Sequence, residues 1–252
     1  MSFHWREYVC EFFGTAVLLF VGLTGVYLVQ PWQVPEWLKC LTIGLFFATA
    51  FVAVSYSPLG KISGAHLNPA ITFAFWNCGL MTSLDAFLYI MAQLAGAVLG
   101  SALVFQALSW SGTLYAMTLP GQQYPVFLTL VVETVLSFIM IIETFYFMFS
   151  NETRRLTALA VGLFVALATC LFAPISGASL NPARSFGPDV YMLQFSFLWI
   201  YFVGPLLGSF VAVRVTRALA PDVLPRCSKM GHRNYADRVL KCRGEREAAD
   251  NG

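Results

Sequence analysis

Charge is what this sequence has least of. Of its 252 residues only 11% are Asp, Glu, Lys or Arg, while 58% are hydrophobic and the mean hydropathy is +0.70. A typical soluble domain is about 25% charged. A soluble chain of this length has too little interior to hide so much apolar surface, so the composition excludes an ordinary globular domain and requires a bilayer. A net charge of +2 is too small to suggest a nucleic-acid partner. The six cysteines (Cys10, Cys40, Cys78, Cys170, Cys227, Cys242) show no short paired spacing, so neither a metal site nor a disulfide framework is indicated. There is no nucleophile–base pairing, phosphate-cradling loop or metal cluster, so neither an enzymatic reaction nor a cofactor is expected. The opening MSFHWREY is short and polar, and the apolar run behind it is too long for a cleaved leader.

What is present is a series of six long apolar runs, near residues 8–29, 37–56, 84–108, 125–149, 156–172 and 195–218. Each is long enough to cross a bilayer as a helix, with Ser83 or Asp85 suited to start the third. Six spans put both termini on one side. Residues 221–252 carry Arg226, Lys229, Arg233, Arg238, Lys241, Arg243 and Arg246. Arg154 and Arg155 lie between spans four and five, and Lys61 between spans two and three. Residues 109–124 carry no charge. By the positive-inside rule the termini are cytoplasmic. Residues 1–219 read as one channel-like domain, and 220–252 as a polar, basic, mobile cytoplasmic tail.

Two connections are too apolar for plain loops, and they repeat each other. SGAHLNPAITF (63–73) and SGASLNPARSF (176–186) are identical at eight of eleven positions. Glu11 of the first span has a counterpart in Glu133 of the fourth, and Gly96 and Gly100–Ser101 match Gly204 and Gly208–Ser209. The repeats run over about 8–108 and 125–218, three spans each. The odd number turns the second copy upside down, so the two special segments meet near the bilayer midplane.

Asparagine is a good helix N-cap and proline fits the first turn. Asn68-Pro69-Ala70 and Asn181-Pro182-Ala183 therefore each start a short helix, toward Cys78 and Asp189, with its partly positive end at membrane depth. Each asparagine oxygen caps its helix and leaves the NH2 to donate toward a pore. Water passing two such donors must turn its oxygen toward them, which breaks a proton-hopping chain, and cations meet an unfavourable field.

On these residues the chain resembles the major intrinsic protein family, the aquaporins and aquaglyceroporins, over roughly residues 11–217. The resemblance implies an all-α membrane protein with six transmembrane helices and two re-entrant half-helices in an inverted 3+3 repeat. It further implies passive passage of water or another small neutral solute such as glycerol, and a homotetramer with one pore per subunit. Glu11 and Glu133 would accept hydrogen bonds from the re-entrant backbone, and Arg184 would form the narrow outer filter. Thr169 and Ala178 would stand at two more filter positions, with Thr169 leaving more room than the histidine of strict water channels. For the fourth position, counting from the helix start gives Ile43, and counting from the box gives Phe47 or Ala48. His66 would face the cytoplasmic vestibule, although a structural histidine is an equal reading. Ser185 and the Tyr201–Phe202 pair resemble water channels, and Asp189 fits neither branch. Glu143 has no repeat partner.

Two other classes stay open at this point. A secondary transporter can be built from inverted repeats, but no central carboxylate can be placed for coupling. A non-conducting membrane protein would not need both boxes intact.

Overall fold

The computed structural model describes residues 4–108, 116–150 and 152–230. The first part of the uncharged connection, and the tail beyond Met230 with Arg233, Arg238, Lys241, Cys242, Arg243 and Arg246, lie outside the described residues. Nine α-helices are present among those described: α1 Trp5–Val29, α2 Glu36–Tyr56, α3 Pro58–Ser63, α4 Pro69–Asn77, α5 Ser83–Ala107, α6 Val126–Phe149, α7 Thr157–Ser176, α8 Pro182–Met192 and α9 Leu198–Leu219. Six of them, α1, α2, α5, α6, α7 and α9, are long and apolar enough to cross a membrane. Their ends lie within four residues of the sequence-derived boundaries.

Local chemistry sets those ends. Pro35 precedes α2 and Pro125 precedes α6, where a missing N–H costs nothing. α5 is capped by Thr82 rather than by Ser83 or Asp85. The Thr82 hydroxyl oxygen accepts from the Asp85 N–H at 3.1 Å and its hydroxyl donates to Asp85 Oδ2 at 2.6 Å. α3 was not foreseen. Pro58 opens it and Gly64, at φ +95°, closes it in the left-handed region, which accounts for the long connection before the first box.

The helices pack as two interlocked halves. α1 lies on α5 and α2, α6 lies on α9 and α7, and α2 meets α7 across the middle. The half-helices α4 and α8 cross over, α4 packing on α9 and α8 on α5, so each is held by the last span of the other half.

The close helix approaches correct the glycine register read from sequence. A Cβ on Gly96 would lie 2.1 Å from the Phe12 carbonyl oxygen, and one on Gly208 would lie 2.2 Å from that of Thr134. Phe12 and Thr134 each follow a repeated glutamate, so Gly96 corresponds to Gly208 rather than to Gly204. The sequence match slipped by one helical turn because glycines four residues apart look alike after such a slide.

The region after α9 also departs from expectation. A 3-10 turn, Pro221–Val223, packs against α6, and the chain then returns along the bundle. Cys227, Ser228, Lys229 and Met230 are buried. Lys229 Nζ lies 4.0 Å from Glu7 Oε1 at the start of α1. The packed bundle therefore continues past residue 219 to at least Met230, because this stretch supplies Met230 to the core and packs Leu224 against it. The face carrying Glu7 and Lys229 is called the terminal face below, and the opposite one the far face.

Gly96→Ala and Gly208→Ala should each destabilise the fold by about 1–3 kcal/mol, the usual cost of overpacking, because the obstacle is backbone rather than a movable side chain. Thermal unfolding of the purified protein in detergent would measure this. Unchanged melting temperatures would show that the helices can separate freely there.

Candidate functional site

The site is built on two ribbons of non-helical backbone. After Gly64 (φ +95°), Ala65 and Leu67 adopt φ of 55° and 49°. After Gly177 (φ 82°), Ala178 and Leu180 adopt 46° and 53°. Left-handed non-glycine residues cost of order 1–3 kcal/mol each and persist only where surroundings over-determine them. A buried carboxyl supplies that determination in each half. Glu11 accepts from His66 N (3.0 Å) and Leu67 N (2.7 Å), and Glu133 accepts from Ser179 N (2.9 Å) and Leu180 N (2.8 Å). A side-chain donor joins each carboxyl, Gln93 Nε2 to Glu11 at 2.7 Å and Ser176 Oγ to Glu133 at 2.8 Å. Each such hydrogen bond contributes about 0.5–1.5 kcal/mol net, which acts against the strain.

The ribbons deliver the asparagines. Asn68 Oδ1 accepts from Ala70 N at 2.8 Å and Asn181 Oδ1 from Ala183 N at 3.0 Å, so both cap their half-helices, with Pro69 and Pro182 in the first turn. The amides are not wholly free, however. Asn68 Nδ2 donates to the Leu180 carbonyl and Asn181 Nδ2 to the Leu67 carbonyl, both at 2.9 Å. One N–H of each amide ties the two boxes together, and the other remains for a passing molecule.

Ile43, Phe47, His66, Asn68, Thr169, Ala178, Asn181 and Arg184 all line one cavity of about 420 Å³. Its far-face end carries Gln30, Glu36 and Lys39, and its walls are apolar side chains such as Leu18, Phe51, Ile71 and Met140. Arg184 is buried. Its Nη1 donates to the Ala116 carbonyl at 2.9 Å, and its Cζ stands 5.3 Å from the centroid of the Phe47 ring, a cation–π arrangement. Thr169 spends its hydroxyl hydrogen on the Val165 carbonyl at 2.8 Å. A Cβ on Gly44 would lie 3.0 Å from Thr169 Cβ, so α2 approaches α7 closely between Ile43 and Phe47. Both of these candidates for the fourth position therefore reach the cavity, and Phe47 is the one beneath the guanidinium.

His66 is fully buried and bonded at both nitrogens, to Thr72 Oγ1 at 3.1 Å and to the Ser228 carbonyl at 2.7 Å. A carbonyl only accepts, so Nε2 carries a hydrogen. Gln93 Nε2 donates to Thr72 at 2.9 Å, leaving the threonine hydroxyl to donate to Nδ1. The ring also stacks on Phe75 at 4.7 Å.

One pair of supports was missed in the sequence. Tyr89 and Tyr201 donate to the Ser63 and Ser176 carbonyls at 2.8 and 2.7 Å, at equivalent places in the two halves. Two serines and a threonine, Ser179, Ser185 and Thr118, are linked by hydroxyl contacts beside the second box. Asp189 Oδ1 and Glu143 Oε2 are buried without a partner among the described residues. The tyrosines could have been found by aligning α5 with α9 on Tyr rather than on Gly.

The chain is also similar to known proteins over most of its length. The chain matches the family model described as "Major intrinsic protein" over residues 1–215. Lens fiber major intrinsic protein of Mus musculus is 39% identical over 213 residues, covering 81% of this chain and 77% of that protein. The Oryctolagus cuniculus protein of the same description is 34% identical over 253 residues, covering 98% and 90%. The X-ray structure of the aquaglyceroporin from Plasmodium falciparum shares the fold, with a TM-score of 0.74 and 24% identity over 88% of this chain and 99% of that one. With a family match over nearly the whole bundle, and two capped boxes meeting inside it, this chain belongs to the major intrinsic protein family and is an integral multi-pass membrane protein.

Proposed function

We infer that the chain is a passive channel for water, and for small neutral solutes such as glycerol at lower rates, that excludes ions and protons. The observation that carries this reading is the single cavity in which both capping asparagines and Arg184 stand. Water reaching the boxes meets one free amide N–H from each side and the partly positive ends of α4 and α8. It accepts from both amides and turns its hydrogens outward, so it cannot relay a proton along a continuous chain. A cation meets the same two helix ends and then the buried guanidinium of Arg184, which stands in the same cavity. Neutral solutes keep their passage because Asn68, Asn181 and Arg184 replace water's hydrogen bonds as they are lost.

Selectivity follows from the residues around Arg184. Threonine at 169 is smaller than the histidine of strict water channels, while Phe47 keeps an aromatic face in the lumen. Water therefore ranks first and glycerol second. The basic residues Lys61, Arg154 and Arg155 assign the terminal face to the cytoplasm by the positive-inside rule. A homotetramer follows from family resemblance. It fits the exposed row Leu159, Leu163, Leu167 and Leu171 on α7, which needs lipid or a neighbouring subunit as cover.

Stopped-flow shrinkage of proteoliposomes against an impermeant osmolyte should exceed that of empty vesicles about tenfold. Lipid-level shrinkage in both the full chain and one lacking the tail would sink the channel reading. Arg184→Ala should admit larger neutral solutes and an ion leak measurable in planar bilayers. If both stay at wild-type level, Arg184 is not the filter. Asn68→Asp or Asn181→Asp should weaken cation rejection, and unchanged conductance would count against oriented amide donors. Thr169→His should cut glycerol flux at least threefold while leaving most water flux. Glycerol flux untouched by that change would place Thr169 outside the constriction.

A further inference from the structure

The two boxes are each covered by a segment that follows the last span of the other half. On the far side, the segment after α5 covers the second box. The Ala116 carbonyl accepts from Arg184, Thr118 touches Ser185, and a Cβ on Gly177 would lie 3.2 Å from Thr118 Cα. On the terminal side, the segment after α9 covers the first box in the same manner. The Ser228 carbonyl accepts from His66 Nε2 at 2.7 Å, the Met230 N–H donates to the Gly64 carbonyl at 3.2 Å, and a Cβ on Gly64 would lie 2.8 Å from Lys229 Cα. Gly64 and Gly177 are equivalent residues of the repeat, so residues 226–230 stand where symmetry places residues 116–119.

The contact closes something. The cavity runs from Gln30, Glu36 and Lys39 at the far face to His66, and none of its lining residues belongs to the chain after α9. His66 and Ser228 are both 0% exposed, so the ring and the segment behind it crowd the terminal end of the lumen. The docking is also weak in two respects. Ser228 Oγ is buried with no partner among the described residues, and the Lys229–Glu7 pair sits at 4.0 Å, the limit of an ion pair. An unmet buried hydrogen bond and a long ion pair both lower the cost of release.

We propose that residues 226–230 are a strap across the cytoplasmic end of the pore, the inner counterpart of the segment that holds Arg184, and that their release from Gly64, His66 and Glu7 raises the permeability. Docked, the strap fixes His66 across the lumen through the Ser228 carbonyl. Released, it frees the His66 Nε2–H to donate to entering water and opens the space behind the ring. The inference rests on the channel reading and on its assignment of the terminal face.

The test is stopped-flow water flux in proteoliposomes, normalised to reconstituted protein, for the full chain, a chain ending at Pro225, Lys229→Glu, Glu7→Lys, and the double charge swap. Truncation and each single reversal should raise the flux at least threefold, and the swap should return it toward the wild-type rate by restoring the pair. Melting temperatures in detergent identify any variant that fails to fold, and the point variants carry the test if the truncated chain does not. Equal flux in wild type, truncated chain and single reversals overturns the strap while leaving the channel intact. A fall in flux with folded protein overturns it too, since the segment would then support conduction. A swap that stays fast despite an intact fold shows that the pair does not hold the strap. Lipid-level flux in every variant fails the strap and the channel reading together. Lipid-level flux in wild type with fast flux in the truncated chain supports both.

Discussion

Backbone at the centre of a bilayer has no water to satisfy it, and the whole structure depends on how that need is met. Glu11 and Glu133 meet it. Each holds two consecutive N–H groups of a re-entrant ribbon that would otherwise be orphaned, and each is itself fully buried. A carboxyl group in a transmembrane helix is expensive, and here the cost is offset because the group and the ribbon satisfy one another. Remove either partner and the left-handed residues Ala65, Leu67, Ala178 and Leu180 lose what fixes them. The asparagines that follow would then lose their positions.

The interlocking of the halves extends this constraint to the lumen. α4 rests on α9 and α8 on α5, so neither half can complete its own half-helix packing alone. The asparagine amides add two reciprocal hydrogen bonds between the boxes, Asn68 to Leu180 and Asn181 to Leu67. A lumen held this way is preformed. Solute passage then needs no rearrangement of the centre, which suits a channel better than a carrier that must alternate between two states.

The fold was legible wherever it is written locally or written twice. Apolar run lengths gave the six spans, Asn-Pro gave both caps, and duplication gave the inversion and paired Glu11 with Glu133. Features that depend on three-dimensional register were not legible. Gly96 was matched to Gly204 because a one-turn slide preserves the pattern, whereas contact with the carbonyl after each glutamate matches it to Gly208. Tyr89 and Tyr201 become visible as a pair only in the corrected glycine register, and their reach to Ser63 and Ser176 gives them their role. Counting to Ile43 or to Phe47 or Ala48 gave different answers because α3 lengthens the connection before the box, which no periodicity announced. Residues 226–230 looked like solvent-exposed tail because their charges are visible in sequence and their partners, Glu7 and the Gly64 ribbon, are more than 150 residues away.

The three positions at which the two boxes differ explain why one scaffold makes two unlike pore ends. The eight shared residues build the ribbon, the cap and the first turn, and the cap bond and the reciprocal asparagine bond recur in both copies. The differing pairs are His66 with Ser179, Ile71 with Arg184, and Thr72 with Ser185. At the far end, Arg184 takes the Ala116 carbonyl while Ser179 and Ser185 form a small hydroxyl cluster with Thr118, leaving a charged group in the lumen. At the terminal end, Ile71 gives an apolar wall where the arginine would be, and His66, set by Thr72, takes the Ser228 carbonyl instead. Each end thus places one nitrogen-bearing side chain against a carbonyl from the segment crossing it, but from opposite sides of the asparagine. A duplicated segment could fold twice on its common residues, and the three differing positions separate an end carrying Arg184 from an end carrying His66.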